Sequence, residues 1–359
     1  MAIYSVIIGS GKYIPDIVVK NEDFLSRSFI NEKGETIPKS NEEIVRKFQE
    51  ITDIKERRYL KPEYKTSDMG FFAAEEAIKS SKIDPETLDY IIVAHNFGDI
   101  LYDNQKSDLV PALASRVKHL LKIQNPDCVA YDLPFGCPGW VQGVIQANYF
   151  IKSGDAKRVL IIGAENLSRI SDPHDIDSMI YSDGAGAVVV EAYESDEPIG
   201  IICHKTRSDT YSEAHFLKMD ISYHPQFEDN TLFMKMNGRK LYEYALNTVP
   251  NLVVETIKKA GIGIHDVKKV LIHQANAKMD EAIIQRVFKL FGMDKLDSAP
   301  IMPMTISKLG NNSVATVPIL YDMIIRGEMP EHHFHSGDYL VFASVGAGMN
   351  VNAFVYKVP

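Results

Sequence analysis

Cysteine is scarce in this chain: Cys128, Cys137 and Cys203 are the three in 359 residues. So small and odd a set builds no disulfide framework and suits a reducing compartment, so a cytoplasmic location is expected. An excess of basic charge is also lacking. Lys and Arg number 39 against 48 Asp and Glu, a net charge of -9, which argues against nucleic acid or an anionic membrane as the main partner. No apolar run is long enough to span a bilayer. The first nine residues lack a basic stretch and a cleavage site and read as a first strand, not a signal peptide. Dinucleotide and P-loop glycine spacings are absent; Gly184 and Gly186 in Asp183-Gly184-Ala185-Gly186-Ala187 read as close packing or a turn. His332, His333 and His335 stand in a charged loop without a metal-ligand spacing, so no metal is expected.

What is present is an ordinary globular composition, 45% hydrophobic and 24% charged. The length points to two domains or two fused half-domains. Residues 3–8 read as a strand ended by a turn at Gly9-Ser10-Gly11, and residues 21–39 as a polar loop. Helices are predicted over 41–49 with Asn41 as cap, over 67–80 with Ser67 as cap, and over 112–121. Apolar strands at 90–94, 158–163 and 188–190 alternate with these helices, the pattern of an α/β fold.

The second half repeats the first. Ile78-Lys79, Ile83, Leu88 and Ile91-Ile92-Val93 correspond, at a constant offset and without gaps, to Ile257-Lys258, Ile262, Val267 and Val270-Leu271-Ile272. Phe135-Gly136-Cys137 and Leu309-Gly310-Asn311 each lead into a helix, and residues 157–163 have a counterpart in 339–346. Two copies of one unit imply a pseudo-twofold core, divided into residues 1–195 and 196–359.

The repeat makes a site readable. Cys137 follows a strand and opens a helical run, with Pro138 tolerated in the first turn. Free amides and the helix dipole at such a position favour a thiolate. Asn311 stands at the equivalent helix start, and His273 ends the repeated strand. Taken singly, a core cysteine, a hydrogen-bonded core histidine and a turn asparagine are the simpler readings. Jointly, on the strand-end side of an α/β sheet, the three suit thioester chemistry. Cys137 takes an acyl group, while His273 and the Asn311 amide hold the enolate formed as a second thioester loses CO₂. Backbone N–H groups at Cys137 and in Gly346-Ala347-Gly348 are placed to hold an oxyanion.

These residues carry a resemblance. The runs Cys137, Ser182-Asp183-Gly184-Ala185-Gly186-Ala187, Met236-Asn237-Gly238, His273-Gln274-Ala275-Asn276 and Gly310-Asn311-Asn312-Ser313, in this order, are similar to the ketoacyl-acyl-carrier-protein synthase III group of thiolase-fold condensing enzymes. The resemblance implies two βαβαβαββ halves forming a five-layered αβαβα core. It implies Cys137, His273 and Asn311 as catalytic residues, with the N–H groups of Cys137 and Ala347 as oxyanion hole. It also implies acyl carrier protein as partner, docked on Lys278 and Arg286, a homodimer, and no cofactor beyond the acyl-ACP or acyl-CoA substrates. The expected reaction is decarboxylative condensation with malonyl-ACP. The alternative is a specialised relative, of dialkylresorcinol or polyene type, that joins two acyl thioesters or transfers an acyl group. A dead partner subunit would lack the Cys, and a degradative thiolase would carry a second Cys near Gly346. Departures are also visible: Phe135, Pro138 and Trp140 around the Cys are expected to reshape the acyl tunnel, and Asp53 replaces the family's turn glycine. Lys47 and Asp175 stand where members that prime from coenzyme A carry a Trp and an Arg, and Asp175 is expected to repel nucleotide phosphates. The loops at 21–39 and 99–105 look extended.

Overall fold

Apolar strands alternating with helices build two sheets that share one central helical layer. The computed structural model describes residues 1–227, 230–294 and 296–359. The first half contributes β1 (Ala2–Tyr13), α1 (Asn41–Thr52), α2 (Thr66–Ser81), β2 (Tyr90–His95), β3 (Val129–Pro134), α3 (Gly139–Ser153), β4 (Arg158–Asn166) and β5 (Asp183–Ser195). The second contributes β6 (Gly200–Ser208), α4 (Gly238–Lys259), β7 (Val267–Ile272), α5 (Ala277–Leu290), α6 (Thr316–Ile325), β8 (Tyr339–Gly346) and β9 (Asn350–Lys357). The first sheet runs β1-β5-β4-β2-β3 and the second β6-β9-β8-β7. In both, the strand ending at the site (β2, β7) pairs in parallel with the next long strand (β4, β8), which pairs antiparallel with its successor (β5, β9).

Helices α3 and α6 lie between the sheets, α2 covers the first and α4 and α5 cover the second, five layers in all. Trp140, Val144 and Ile145 of α3 and Leu320 of α6 pack with Leu271, Phe342 and Phe354 of the second sheet and Ile161 of the first. Both faces of α3 are therefore apolar, as a helix enclosed by two sheets requires. The halves differ at one point. Where the first sheet has β3, the second has a non-strand segment tied to β7 by Val270 N–H donating to Ile301 C=O at 2.8 Å. Among the described residues no helix is long and apolar enough to cross a membrane.

Several local expectations are corrected. Gly9-Ser10-Gly11 is no turn; β1 runs through it. A Cβ on Gly11 would meet Ala73 O at 2.4 Å, so these glycines let α2 lie directly on the strand. The cap of α1 is Ser40, whose Oγ accepts from Glu43 N–H, while the Asn41 amide donates to the Leu25 and Arg27 carbonyls. At α2, Asp68 accepts from Lys65 N–H, and the Ser67 hydroxyl donates to Asp99 at 2.6 Å. Residues 21–39 are more than polar loop, since Phe24 and Phe29 are buried and join Phe48 and Ile54 in a small core. Asp53, at φ 59°, adopts the left-handed conformation that glycine favours and Asp tolerates. Glycine spaces β5 as well, and all of 183–190 is strand.

Candidate active site

The site forms where the N-terminal ends of α3 and α6 meet the ends of β7 and β8. Cys137 sits in the turn between β3 and α3, closed by Gly139 N–H donating to Gly136 C=O at 2.9 Å. It lies two residues ahead of the helix, with Pro138 as N-cap and not in the first turn. His273 follows β7 and continues its parallel pairing, donating its backbone N–H to Ala343 C=O at 3.0 Å. The rest of its motif is structural. Gln274 is buried and accepts from Thr305 and Ile306 N–H while donating to Pro303 C=O. Asn276 caps α5, accepting from Met279 N–H. Asn311 bridges the halves: its N–H donates to Ile180 C=O at 2.9 Å and its C=O accepts from Ser182 N–H at 2.8 Å.

Ser313 ties the three together. Its N–H donates to Asn311 Oδ1 at 2.9 Å, its hydroxyl donates to Cys137 Sγ at 3.3 Å, and its backbone lies beside the His273 ring. A backbone N–H can only donate, so it fixes Oδ1 behind and leaves the Asn311 NH₂ as the free donor end. Gly346-Ala347 runs against the Cys137 turn in backbone contact. A Cβ on Gly346 would sit 2.6 Å from Cys137 N, and one on Gly136 2.9 Å from Ala347 N. Both glycines are needed for these two segments to approach. Cys137, His273, Asn311, Ser313 and Ala347 line one cavity of about 780 Å³. Its walls include Phe48 of α1, Tyr242 of α4, Met279 of α5, and Leu217, Met234 and Met236. The last three belong to the hairpin Leu217–Asp220 and Phe233–Met236, which the sequence pattern did not reveal.

The electrostatics correct one expectation. Cys137 opens to the cavity, but the protein around it excludes enough solvent to push the thiol up to about 11, against a smaller lowering by Ser313. Desolvation of the charged form works against a resting thiolate at this helix end. Burial likewise lowers His273 to about 4, so its imidazole is neutral and offers one N–H donor.

Other expectations fare differently. Phe135, Pro138 and Trp140 do not line this cavity; Trp140 is wholly buried against Phe342 and Phe354. Asp175 is not a lone acid: buried Lys235 pairs with it at 2.9 Å and with Asp172 at 2.6 Å. Lys47 does line the cavity, beside Lys39, Lys218 and Arg239, and pairs with Glu43. Lys278 and Arg286 are both exposed on α5. Lys278 adjoins the cavity-lining Met279, whereas Arg286 donates to Leu246 C=O and Asn247 Oδ1 of α4. His332 is buried against Lys269 Nζ at 3.1 Å, while the rings of His333 and His335 pack on each other. Among the described residues no three His, Cys, Asp or Glu side chains converge as a metal site.

Sequence reasoning missed Glu165 and Asn96. Glu165 is fully buried, and burial raises it to about 7. It accepts from Asn96 N–H at 3.3 Å and from the Asn96 side chain. An acidic residue closing an apolar strand is the only signal that marked it.

The family described as 3-oxoacyl-[acyl-carrier-protein (ACP)] synthase III matches residues 131–210, and its C-terminal family matches residues 257–358. A β-ketoacyl-[acyl-carrier-protein] synthase III of Erythrobacter litoralis is 30% identical over 357 residues, 99% of each chain. The crystal structure of 3-oxoacyl-[acyl-carrier-protein] synthase III from Aquifex aeolicus is 30% identical with a TM-score of 0.77, covering 98% of this chain and 99% of that one. The priming β-ketosynthase of the R1128 polyketide pathway shares the fold at a TM-score of 0.79 and 24% identity, covering 99% and 96%. With its thiolase-type five-layered fold, this chain belongs to the 3-oxoacyl-[acyl-carrier-protein] synthase III family.

Proposed function

We propose that the chain is a condensing acyltransferase that loads an acyl group onto Cys137 and extends it with a malonyl thioester. The observation that carries this reading is the meeting of Cys137, His273 and Asn311 in one cavity. In the first step the Cys137 sulfur attacks a thioester carbonyl, and the N–H groups of Cys137 and Ala347 receive the oxyanion. The carrier leaves as its thiol. In the second step the malonyl thioester oxygen sits between the neutral His273 N–H and the Asn311 NH₂. The bond to the carboxylate breaks, CO₂ departs, and the two donors hold the negative charge of the enolate. Its carbon attacks the acyl-Cys137 carbonyl and expels the Cys137 sulfur. No cofactor is needed, because decarboxylation supplies the carbanion.

Condensation is favoured over simple acyl transfer because transfer to a hydroxyl or amine has no enolate for Asn311 to hold. An acidic acyl carrier protein suits the cations at the cavity, Lys39, Lys47, Lys218 and Arg239, with Lys278 on the adjoining helix. Arg286 is the weaker docking candidate, being held by α4. A homodimer in a reducing cytoplasm rests on the family and on three unpaired cysteines.

The test is intact-mass measurement after incubation with acyl-ACP and acyl-CoA donors of several chain lengths. One acyl adduct, on Cys137 and not on Cys128 or Cys203, is expected. An adduct from no donor would end the reading.

A further inference from the structure

Condensation returns Cys137 as a thiolate. The step begins with one negative charge, on the malonyl carboxylate. Once CO₂ has left and the new carbon–carbon bond has expelled the sulfur, it ends with one, on Cys137. No proton is taken up in between. The surroundings receive that charge poorly. Burial pushes the thiol up to about 11. Of the titratable groups around it, His273 after β7 is neutral, Tyr181 ahead of β5 is uncharged, and Glu165 at the end of β4 opposes further negative charge. No Lys or Arg is among the groups acting on the thiol. The returning thiolate therefore depends on a hydrogen-bond donor aimed at the sulfur.

Ser313 is such a donor, and its direction is set from behind. Glu165 is fully buried and accepts the Asn96 N–H at 3.3 Å and the Asn96 side-chain amide. As a carboxylate it only accepts, so the NH₂ end of Asn96 is turned toward it. The same nitrogen lies 3.2 Å from Ser313 Oγ. An amide nitrogen only donates, so Ser313 Oγ accepts there. The one proton of that hydroxyl is left for Cys137 Sγ, 3.3 Å away.

The backbone fixes both residues in place. Ser313 has φ 52°, a left-handed conformation that a non-glycine residue keeps only where its surroundings impose it. Its N–H donates to Asn311 Oδ1 at 2.9 Å, and the turn after it lies directly on β4, where a Cβ on Gly163 would meet Val314 O at 2.5 Å. Asn96 follows β2, which pairs with β4 and so sets it beside Glu165. Asn96 and Ser313 line the cavity together with Cys137.

We propose that Ser313 is a catalytic residue whose hydroxyl holds the Cys137 thiolate by a hydrogen bond, and that Asn96, anchored on Glu165, is the positioning residue that keeps this hydroxyl turned to the sulfur. This rests on Cys137 being the acyl acceptor. In condensation the enolate carbon forms its bond to the acyl carbonyl carbon, and the C–S bond to Cys137 breaks with its electron pair left on sulfur. The Ser313 proton stays on its own oxygen throughout. A thioester sulfur is a weak acceptor and a thiolate a strong one, so the hydrogen bond strengthens as the charge arrives. An interaction that grows along the reaction lowers its barrier instead of merely tightening the resting complex. In the next acylation the same pair on sulfur attacks the donor carbonyl. The charge leaves on the donor's sulfur, which takes a proton from water, and nothing is oxidised.

The test is the pH dependence of iodoacetamide alkylation of Cys137 in the free chain, followed by peptide mass. Alkylation needs the thiolate, so the midpoint of its rise reports how well the site holds that charge. Ser313→Gly removes the hydroxyl and keeps the backbone N–H, and glycine adopts φ 52° freely, so the variant is expected to fold. Its midpoint should move up by about one pH unit, and its rate at pH 8 should fall by about tenfold, because a hydrogen bond to a charged atom is lost. Ser313→Ala, which keeps the Cβ, should show the same shift. Asn96→Ala should move the midpoint up by less, and should add nothing when made in Ser313→Gly, since Asn96 acts through the hydroxyl. An unchanged or lower midpoint in Ser313→Gly and Ser313→Ala overturns the proposal. Equal shifts from Asn96→Ala in both backgrounds overturn the part given to Asn96. No acyl donor enters this assay, so its failure is distinct from failure of the condensing reaction.

Discussion

Asn311→Asp is expected to leave acylation of Cys137 nearly intact and to lower malonyl decarboxylation by about 10²–10³-fold, roughly 3–4 kcal/mol of transition-state stabilisation. The reason lies in which end of the amide faces which partner. Oδ1 accepts the Ser313 N–H at 2.9 Å, and a carboxylate oxygen accepts it equally well, so the turn that places Ser313 beside Cys137 is kept. The other end changes from a donor NH₂ to an acceptor oxygen. An enolate that had been held is then repelled. Acylation makes its oxyanion at the Cys137 and Ala347 N–H groups and should not register the exchange. Separate assays, adduct mass for the first step and CO₂ release for the second, check this. Equal loss in both would contradict the roles assigned here.

The largest effect on stability is expected at Asp280. It is fully buried in the first turn of α5, beside Met279 and Ile283, and neither carboxyl oxygen has a hydrogen-bond partner among the described residues. Burial raises it well above 3.8, so the folded chain carries it protonated. Folding therefore takes up a proton at any pH between the unfolded and folded values. The stability it contributes is complete below about 3.8 and is lost as pH rises, about 1.4 kcal/mol per pH unit until the folded value is passed. Asp280→Asn cannot titrate, so the slope of unfolding free energy against pH between 5 and 8 should be less negative than in the unsubstituted chain by that amount. The variant should be the more stable of the two at pH 8. Parallel slopes would mean that Asp280 has a partner in solution.

Much of this was legible in the sequence because the chemistry is written in short runs. The offset between the halves survives as matched apolar positions, and it puts Cys137 and Asn311 at equivalent helix starts and His273 at the end of the repeated strand. What was not legible depends on partners distant along the chain. Asp175 reads as a free acid until β-hairpin residue Lys235 is brought against it. Trp140 reads as tunnel lining until the second sheet covers it with Phe342 and Phe354. Gly9 and Gly11 read as a turn because a strand glycine packed under a helix looks the same locally. A cysteine at a helix start suggests a thiolate, but the desolvation that opposes it belongs to the whole fold. Glu165 carries no motif, and its burial beside Asn96 exists only once β2 and β4 are paired in the sheet.

The most direct measurement of the central claim is a carbon count. The chain is first acylated on Cys137, then given malonyl-ACP labelled with ¹³C in the methylene carbon and in the free carboxyl. The account predicts one labelled CO₂ for each acyl group consumed and a 3-oxoacyl product longer than the primer by two carbons, with the methylene label retained. Loss of the acyl group without CO₂ release, or a product that carries the free carboxyl label, would contradict it.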